Sequence, residues 1–131
     1  MKRFSFPKSK RLVSNKQFKA VLDRRCRAGD GLLTLCIAEN DCGNARLGIS
    51  VGKSLGNAVA RNRVKRLLRE AFRQNQLRIP AGFDYLAMIS PQWLKKFDKA
   101  TERKEAVKQL TFEQVKASFL AMVKAAVDKT R

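Results

Sequence analysis

Apolar and polar positions along this chain repeat with two periods, and the switches between them mark its elements. In "VSNKQFKAVLDRR", 13–25, Phe18, Val21 and Leu22 recur at helical spacing and share one face. Ser14 stands at the N-cap position, Gln17 supplies the capping-box partner, and Val13 with Phe18 has the spacing of a hydrophobic staple. A helix from Ser14 to about Arg25 is predicted. In "GLLTLCIAEN", 31–40, the period drops to two: Leu33, Leu35 and Ile37 lie on one face of a strand, and Leu32, Thr34, Cys36 and Ala38 on the other.

The turn residues "DCGN" follow, and then "ARLGISVG", 45–52, alternates more sharply. Leu47, Ile49 and Val51 form an apolar face there, opposite a small or polar face of Arg46, Gly48 and Ser50. The two strands read together as a hairpin or meander. Pro80 and Gly82 break the chain before a further strand at about 83–90, which is apolar on both faces and therefore suited to the interior of a sheet. Its place after a helix suggests a β-α-β crossover.

That helix, from about Asn57 to Asn75, has two unlike sides. Val64, Leu67, Leu68, Ala71 and Phe72 make a stripe at i, i+3, i+4, i+7 and i+8, the pattern of a buried face. Asn62, Arg66, Arg69 and Arg73 fall nearly opposite, with Arg61 and Lys65 on one flank and Arg63 and Glu70 on the other. The final helix starts at Thr111 with Gln114 at capping-box spacing, and Val115, Phe119, Met122, Val123 and Ala126 run along its core-packing face. Residues 91–110 are charged and fit either a short helix or a surface insertion.

Charge changes the picture from fold to partner. The 131 residues make one domain, with 1–12 as a basic arm, and carry 29 Lys and Arg against 11 Asp and Glu, a net charge of +18. Such self-repulsion in a small folded chain is best relieved beside a polyanion. The excess sits in the first two-thirds: residues 43–83 hold nine bases and one acid, Glu70. A merely solvated helix face would interleave acids at i, i+4, but the five bases within 61–69 have only Glu70 near them. Arginine dominates the cluster, and its planar fork suits phosphate oxygens.

Other chemistries find less support. The longest nearly unbroken apolar run, "LLTLCIA" at 32–38, falls far short of the ~20 residues of a membrane span, and the basic N-terminus lacks the apolar stretch of a signal peptide. A cytoplasmic protein without a membrane partner is expected. Cys26, Cys36 and Cys42 show neither C-x-x-C spacing nor an even number, and the chain has no histidine, so neither a metal site nor a general base stands out. "GKS" at 52–54 imitates a nucleotide-binding loop, but the glycine required at position 47 is Leu47. Gly52, Gly56 and Asn57 fit a tight strand-to-helix connection beside Lys53, which either serves as a plain turn or offers N–H groups to a phosphate. A DNA recognition helix would need a helix-turn-helix partner, whereas a strand precedes this one.

The run "GISVGKSLGNAVARNRVKRLLREAFR", 48–73, resembles the signature of the bacterial ribonuclease P protein subunit family, with its "RNR" motif at Arg61, Asn62 and Arg63. The resemblance covers about 8–90 and 111–127. It implies an α+β fold like the second domain of ribosomal protein S5, an α-β-β-β-α-β-α sandwich with a left-handed β-α-β crossover and a strand region split near Asp30-Gly31. It implies a catalytic RNA that uses Mg²⁺ to cut the 5′ leader from precursor tRNA. On this resemblance the protein itself is expected to bind no cofactor and to take both RNAs, but not DNA, as partners.

By the same resemblance Arg61, Asn62, Arg63, Lys65, Arg66 and Arg69 contact the catalytic RNA. Phe18, Leu22, Leu35, Ser50 and Lys53 belong to a cleft for the single-stranded leader, where an aromatic ring can stack on a base of any sequence. Two departures reduce that cleft: Leu22 stands where many members have a second Phe, and Ser54 stands where many have a second Lys. The alternative is a ribosomal or other structural RNA-binding protein of the same fold.

Overall fold

A computed structural model of the chain describes residues 11–12, 15–24, 26–40 and 42–130. Its elements run α1 (Asn15–Asp23), β1 (Cys26–Gly29), β2 (Leu33–Glu39), β3 (Arg46–Ser50), α2 (Ala58–Gln74), β4 (Phe83–Ile89), α3 (Pro91–Lys96), α4 (Ala100–Gln109) and α5 (Phe112–Lys129). This is the α+β order expected, with two short helices added between β4 and the last helix. Ser14 and Val13, the predicted cap and staple of the first helix, lie outside the described residues, as do Arg25 and the first ten residues of the arm.

The strands form one mixed sheet in the order β1-β2-β4-β3. β1 turns into β2 through Asp30, whose Oδ1 accepts from the N–H groups of Leu32 and Leu33 at 2.8 Å each. The break expected near Asp30-Gly31 is this hairpin. The expected pairing of 31–40 with 45–52 does not occur, because β4 lies between them, antiparallel to β2 and parallel to β3. The link 40–45 therefore spans two strand spacings, roughly 10 Å, where a tight hairpin spans about 5 Å. Gly82 fills the gap: it accepts from Asn40 N at 2.8 Å and donates to Asn44 O at 3.3 Å. Its φ of +84° explains the glycine.

β4 owes its interior position to its composition. Tyr85, Ala87 and Ile89 face one side and Leu86 the other, and all four are buried. On the first side they join Leu33, Leu35, Ile37 and Leu47 under Val64, Leu68 and Phe72 of α2 and Val115, Phe119 and Val123 of α5. On the second, Cys36, Ala38 and Leu86 pack with Leu12 and with Val21 of α1, and Phe18 and Met88 are half-buried at the margin. β3, at the sheet edge, is met by the arm: Leu12 N donates to Leu47 O at 2.9 Å.

Residues 91–110 form helices rather than a surface insertion, and they bury Trp93, Val107 and Leu110 in the main core. Ser90 caps α3, its side chain accepting from Gln92 N at 3.2 Å. At Thr111 both halves of the predicted capping box are made, Gln114 N to Thr111 Oγ1 at 3.1 Å and Thr111 N to Gln114 Oε1 at 2.9 Å. The three cysteines are free thiols, Cys36 buried, Cys26 half-buried and Cys42 exposed.

Candidate nucleic-acid interface

The core side of α2 fixes the orientation of its basic side. Ala60, Val64, Leu68, Ala71 and Phe72 are buried, so the helix cannot roll, and Asn62, Arg66 and Arg69 are held toward solvent. Lys65 and Arg61 are half-buried beside them. Among the described residues, Lys65, Arg66 and Arg69 take part in no ion pair; the pairs present are Arg46–Asp84, Arg73–Glu70 and Lys108–Glu105. Arg61 Nε is buried without a hydrogen-bond partner among the described residues.

Two arginines of α2 are engaged internally. Arg73 donates to both oxygens of Glu70, at 2.9 and 2.8 Å, and that bond, with another from Gln74, holds the Glu70 carboxyl below its usual pKa. Arg63 turns away from the ridge: Nε donates to Val107 O at 3.0 Å, and Nη2 donates to Leu110 O at 2.6 Å and Lys108 O at 3.3 Å. These carbonyls lie at the C-terminal end of α4, where those of Lys108 and Leu110 lack a helical partner and that of Val107 also accepts from Leu110 N at 3.2 Å. Of the six residues assigned to the catalytic RNA, Arg63 is thus the one whose guanidinium donates to backbone carbonyls of the protein itself.

The start of α2 is a built turn. Leu55 is buried and anchors the loop 52–56, in which Leu55 N donates to Gly52 O and Gly56 N to Lys53 O. Asn57 caps the helix, its Oδ1 accepting from Ala60 N at 3.0 Å. Lys53 is exposed on this loop.

A cleft of about 180 Å³ opens between the arm, α1, β3 and α2, lined by Arg11, Leu12, Phe18, Leu47, Gly48, Ile49, Lys65 and Arg69. Here the two sets of sequence candidates meet, with the Phe18 ring at one wall and the Lys65 and Arg69 cations at the other. Ser50 is exposed two residues beyond Gly48 on β3, and Leu22 is 40% exposed one turn beyond Phe18 on α1. Leu35 does not belong to this cleft. It is 1% exposed, on the face of β2 that lies under α2 and α5, and Cys36 and Ala38 are the β2 residues buried on the α1 face. Sequence alternation separates these two sets but does not tell which helix covers each. Arg11 and Gly48 were missed as cleft residues. The small face of Arg46, Gly48 and Ser50 was the available signal, since a glycine there admits an aromatic ring.

A sheet covered by a helix layer on one side, and on the other by a single helix beside a cationic cleft, defines a small α+β protein of the polyanion-binding class. The ribonuclease P family model matches residues 6–127. The ribonuclease P protein component of Brevibacillus brevis is 38% identical over 120 residues, covering 91% of this chain and 84% of that protein. The component from Stutzerimonas stutzeri is 40% identical over 108 residues, covering 75% and 82%. Among solved structures, the RNase P protein of Staphylococcus aureus superposes with a TM-score of 0.71 at 26% identity over 91% of this chain and 96% of that one. That of Thermotoga maritima gives 0.73 at 26% identity over 88% and 96%. The chain belongs to the ribonuclease P protein component family.

Proposed function

We propose that this chain joins the catalytic RNA of ribonuclease P through the outward side of α2 and supports the 5′ leader of precursor tRNA in the adjoining cleft. As a family member it is a component of an endoribonuclease that matures tRNA 5′ ends. In this reading the RNA subunit, with its Mg²⁺, does the chemistry, and the protein contributes binding. Asn62, Lys65, Arg66 and Arg69 meet phosphates of the catalytic RNA, with Arg61 at the margin of that contact, while Phe18, Ser50 and Lys53 border the path of the leader. Leu22 adds apolar contact at the outer end of α1.

The observation that carries this reading is the group of Lys65, Arg66 and Arg69, held outward by a buried helix face and without acidic partners among the described residues. Guanidinium and ammonium groups so arranged gain most from an external polyanion, and counterion release drives their association with it. The contiguity of Lys65 and Arg69 with Phe18 supports one continuous RNA surface. No helix among the described residues is long and apolar enough to cross a membrane, and a cytoplasmic place of action accompanies the reading. A role as a ribosomal protein of the same fold is not favoured, since the family matched is that of ribonuclease P.

Reconstitution tests it. Bacterial ribonuclease P RNA at low Mg²⁺ is expected to cleave precursor tRNA much faster with the chain than without it. No stimulation, with the chain shown to be folded, overturns the proposal.

A further inference from the structure

The 52–56 loop is held from outside by a residue of α4. The Arg103 guanidinium donates in three directions: Nε to Phe97 O at 2.6 Å, Nη2 to Leu94 O at 2.8 Å and Nη1 to Ser54 O at 2.7 Å. Phe97 and Leu94 close the last turn of α3, where helical carbonyls lack partners of their own. Ser54 follows Lys53 directly, in a loop whose remaining backbone bonds are the two turn bonds Leu55 N to Gly52 O and Gly56 N to Lys53 O. α4 is in turn fastened to α2 by Arg63, which bonds the carbonyls of Val107, Lys108 and Leu110. Two arginines thus connect the basic helix, α4, the end of α3 and the Lys53 loop in a single series of charge-assisted hydrogen bonds.

We propose that Arg103 is a positioning residue for leader recognition: through Ser54 O it fixes the loop that presents Lys53, and residues 91–110 act as the brace for that loop. This rests on the reading of Lys53 as a leader contact. Arg103 need touch no RNA. Its planar fork suits the task because three acceptors in different directions are met by one rigid group, which a lysine cannot match. An exposed loop with only turn bonds otherwise samples several conformations, and each ordered contact with the leader then carries an added entropic cost.

The test uses reconstituted holoenzyme with Arg103→Lys, which keeps the charge but bonds fewer carbonyls, and with Arg103→Gln as a second variant lacking charge. For precursor tRNA with a long leader, kcat/KM is expected to fall about fivefold with either, and little for a substrate with the shortest leader. Combined with Lys53→Ala, the losses should not add, as for residues acting through one element. Equal losses on both substrates, full additivity or no loss overturn the proposal.

Hydrogen exchange separates it from the reading on which it rests. In Arg103→Lys the amides of Leu55 and Gly56 should exchange about tenfold faster while those of the α2 core stay unchanged. Unchanged exchange at those two amides removes the brace. Faster exchange, with Lys53→Ala acting equally on all leaders, retains the brace and removes the leader role.

Discussion

Phe18 and Gly48 face each other so closely that a methyl group on residue 48 would lie 2.5 Å from Cε1 of the ring. The ring of α1 thus rests on bare backbone of β3, and the same added methyl would stand 2.9 Å from Leu12 Cβ. The hydrogen on Gly48 is what allows helix, arm and sheet edge to converge at the cleft.

Gly48→Ala is therefore expected to act as an overpacking substitution, costing about 1–3 kcal/mol of stability as side chains leave their rotamers. It should also shift Phe18 and weaken cleavage of long-leader substrates more than short-leader ones. Thermal unfolding and leader-dependent kinetics check the two parts separately.

Arg66→Ala and Arg69→Ala should each weaken binding to the catalytic RNA and lower the slope of log affinity against log salt by about 0.7 to 0.9 for every phosphate left without its cation. Arg63→Ala should behave differently. With the carbonyls of Lys108 and Leu110 deprived of their donor and Val107 O left with Leu110 N alone, it is expected to cost stability of about 1–3 kcal/mol, with the salt slope almost unchanged. A lowered slope for Arg63→Ala would put its guanidinium back on the RNA face.

Leu35→Ala separates core from cleft. From its position under α2 and α5 it should destabilise the protein by about 2–5 kcal/mol. Its remaining folded fraction should process long and short leaders in the native ratio, measured in holoenzyme below the melting transition.

Asp30 supplies a pH dependence. Burial raises its pKa, but hydrogen bonds from Ser118, at 2.6 Å from Oδ2, and from the N–H groups of Leu33 and Leu32 outweigh it and hold the carboxyl below its usual value. A carboxylate with a lowered folded pKa adds stability that is present above the unfolded pKa, about 4, and is lost as pH falls through the folded one. The native chain should lose stability below about pH 4, and Asp30→Asn should be less stable at neutral pH yet flatter through the acid range. Melting temperatures from pH 7 down to pH 3 give the comparison.

Much of the candidate site was legible in the chain because it depends on a single helix. The stripe of Val64, Leu68, Ala71 and Phe72 sets which way α2 faces, and Asn62, Arg66 and Arg69 follow at fixed angular offsets. Thr111 with Gln114 was equally readable, since a capping box is closed within four residues. Leu35 and Arg63 were not readable in this way. The first depends on which side of the sheet α1 and α2 settle, and the second on carbonyls 44 to 47 residues further along the chain.

By itself the sequence determined the local periods, the capping box at Thr111, the charge and the outward basic side of α2, because each of these is set by neighbours a few residues apart. Only the tertiary structure decided that β4 separates β2 from β3, that Phe18 meets Lys65 and Arg69 across one cleft, and that Arg63 and Arg103 direct their donors to backbone carbonyls. Those outcomes depend on distant segments meeting, where alternation gives two faces to every strand and packing alone chooses what covers each.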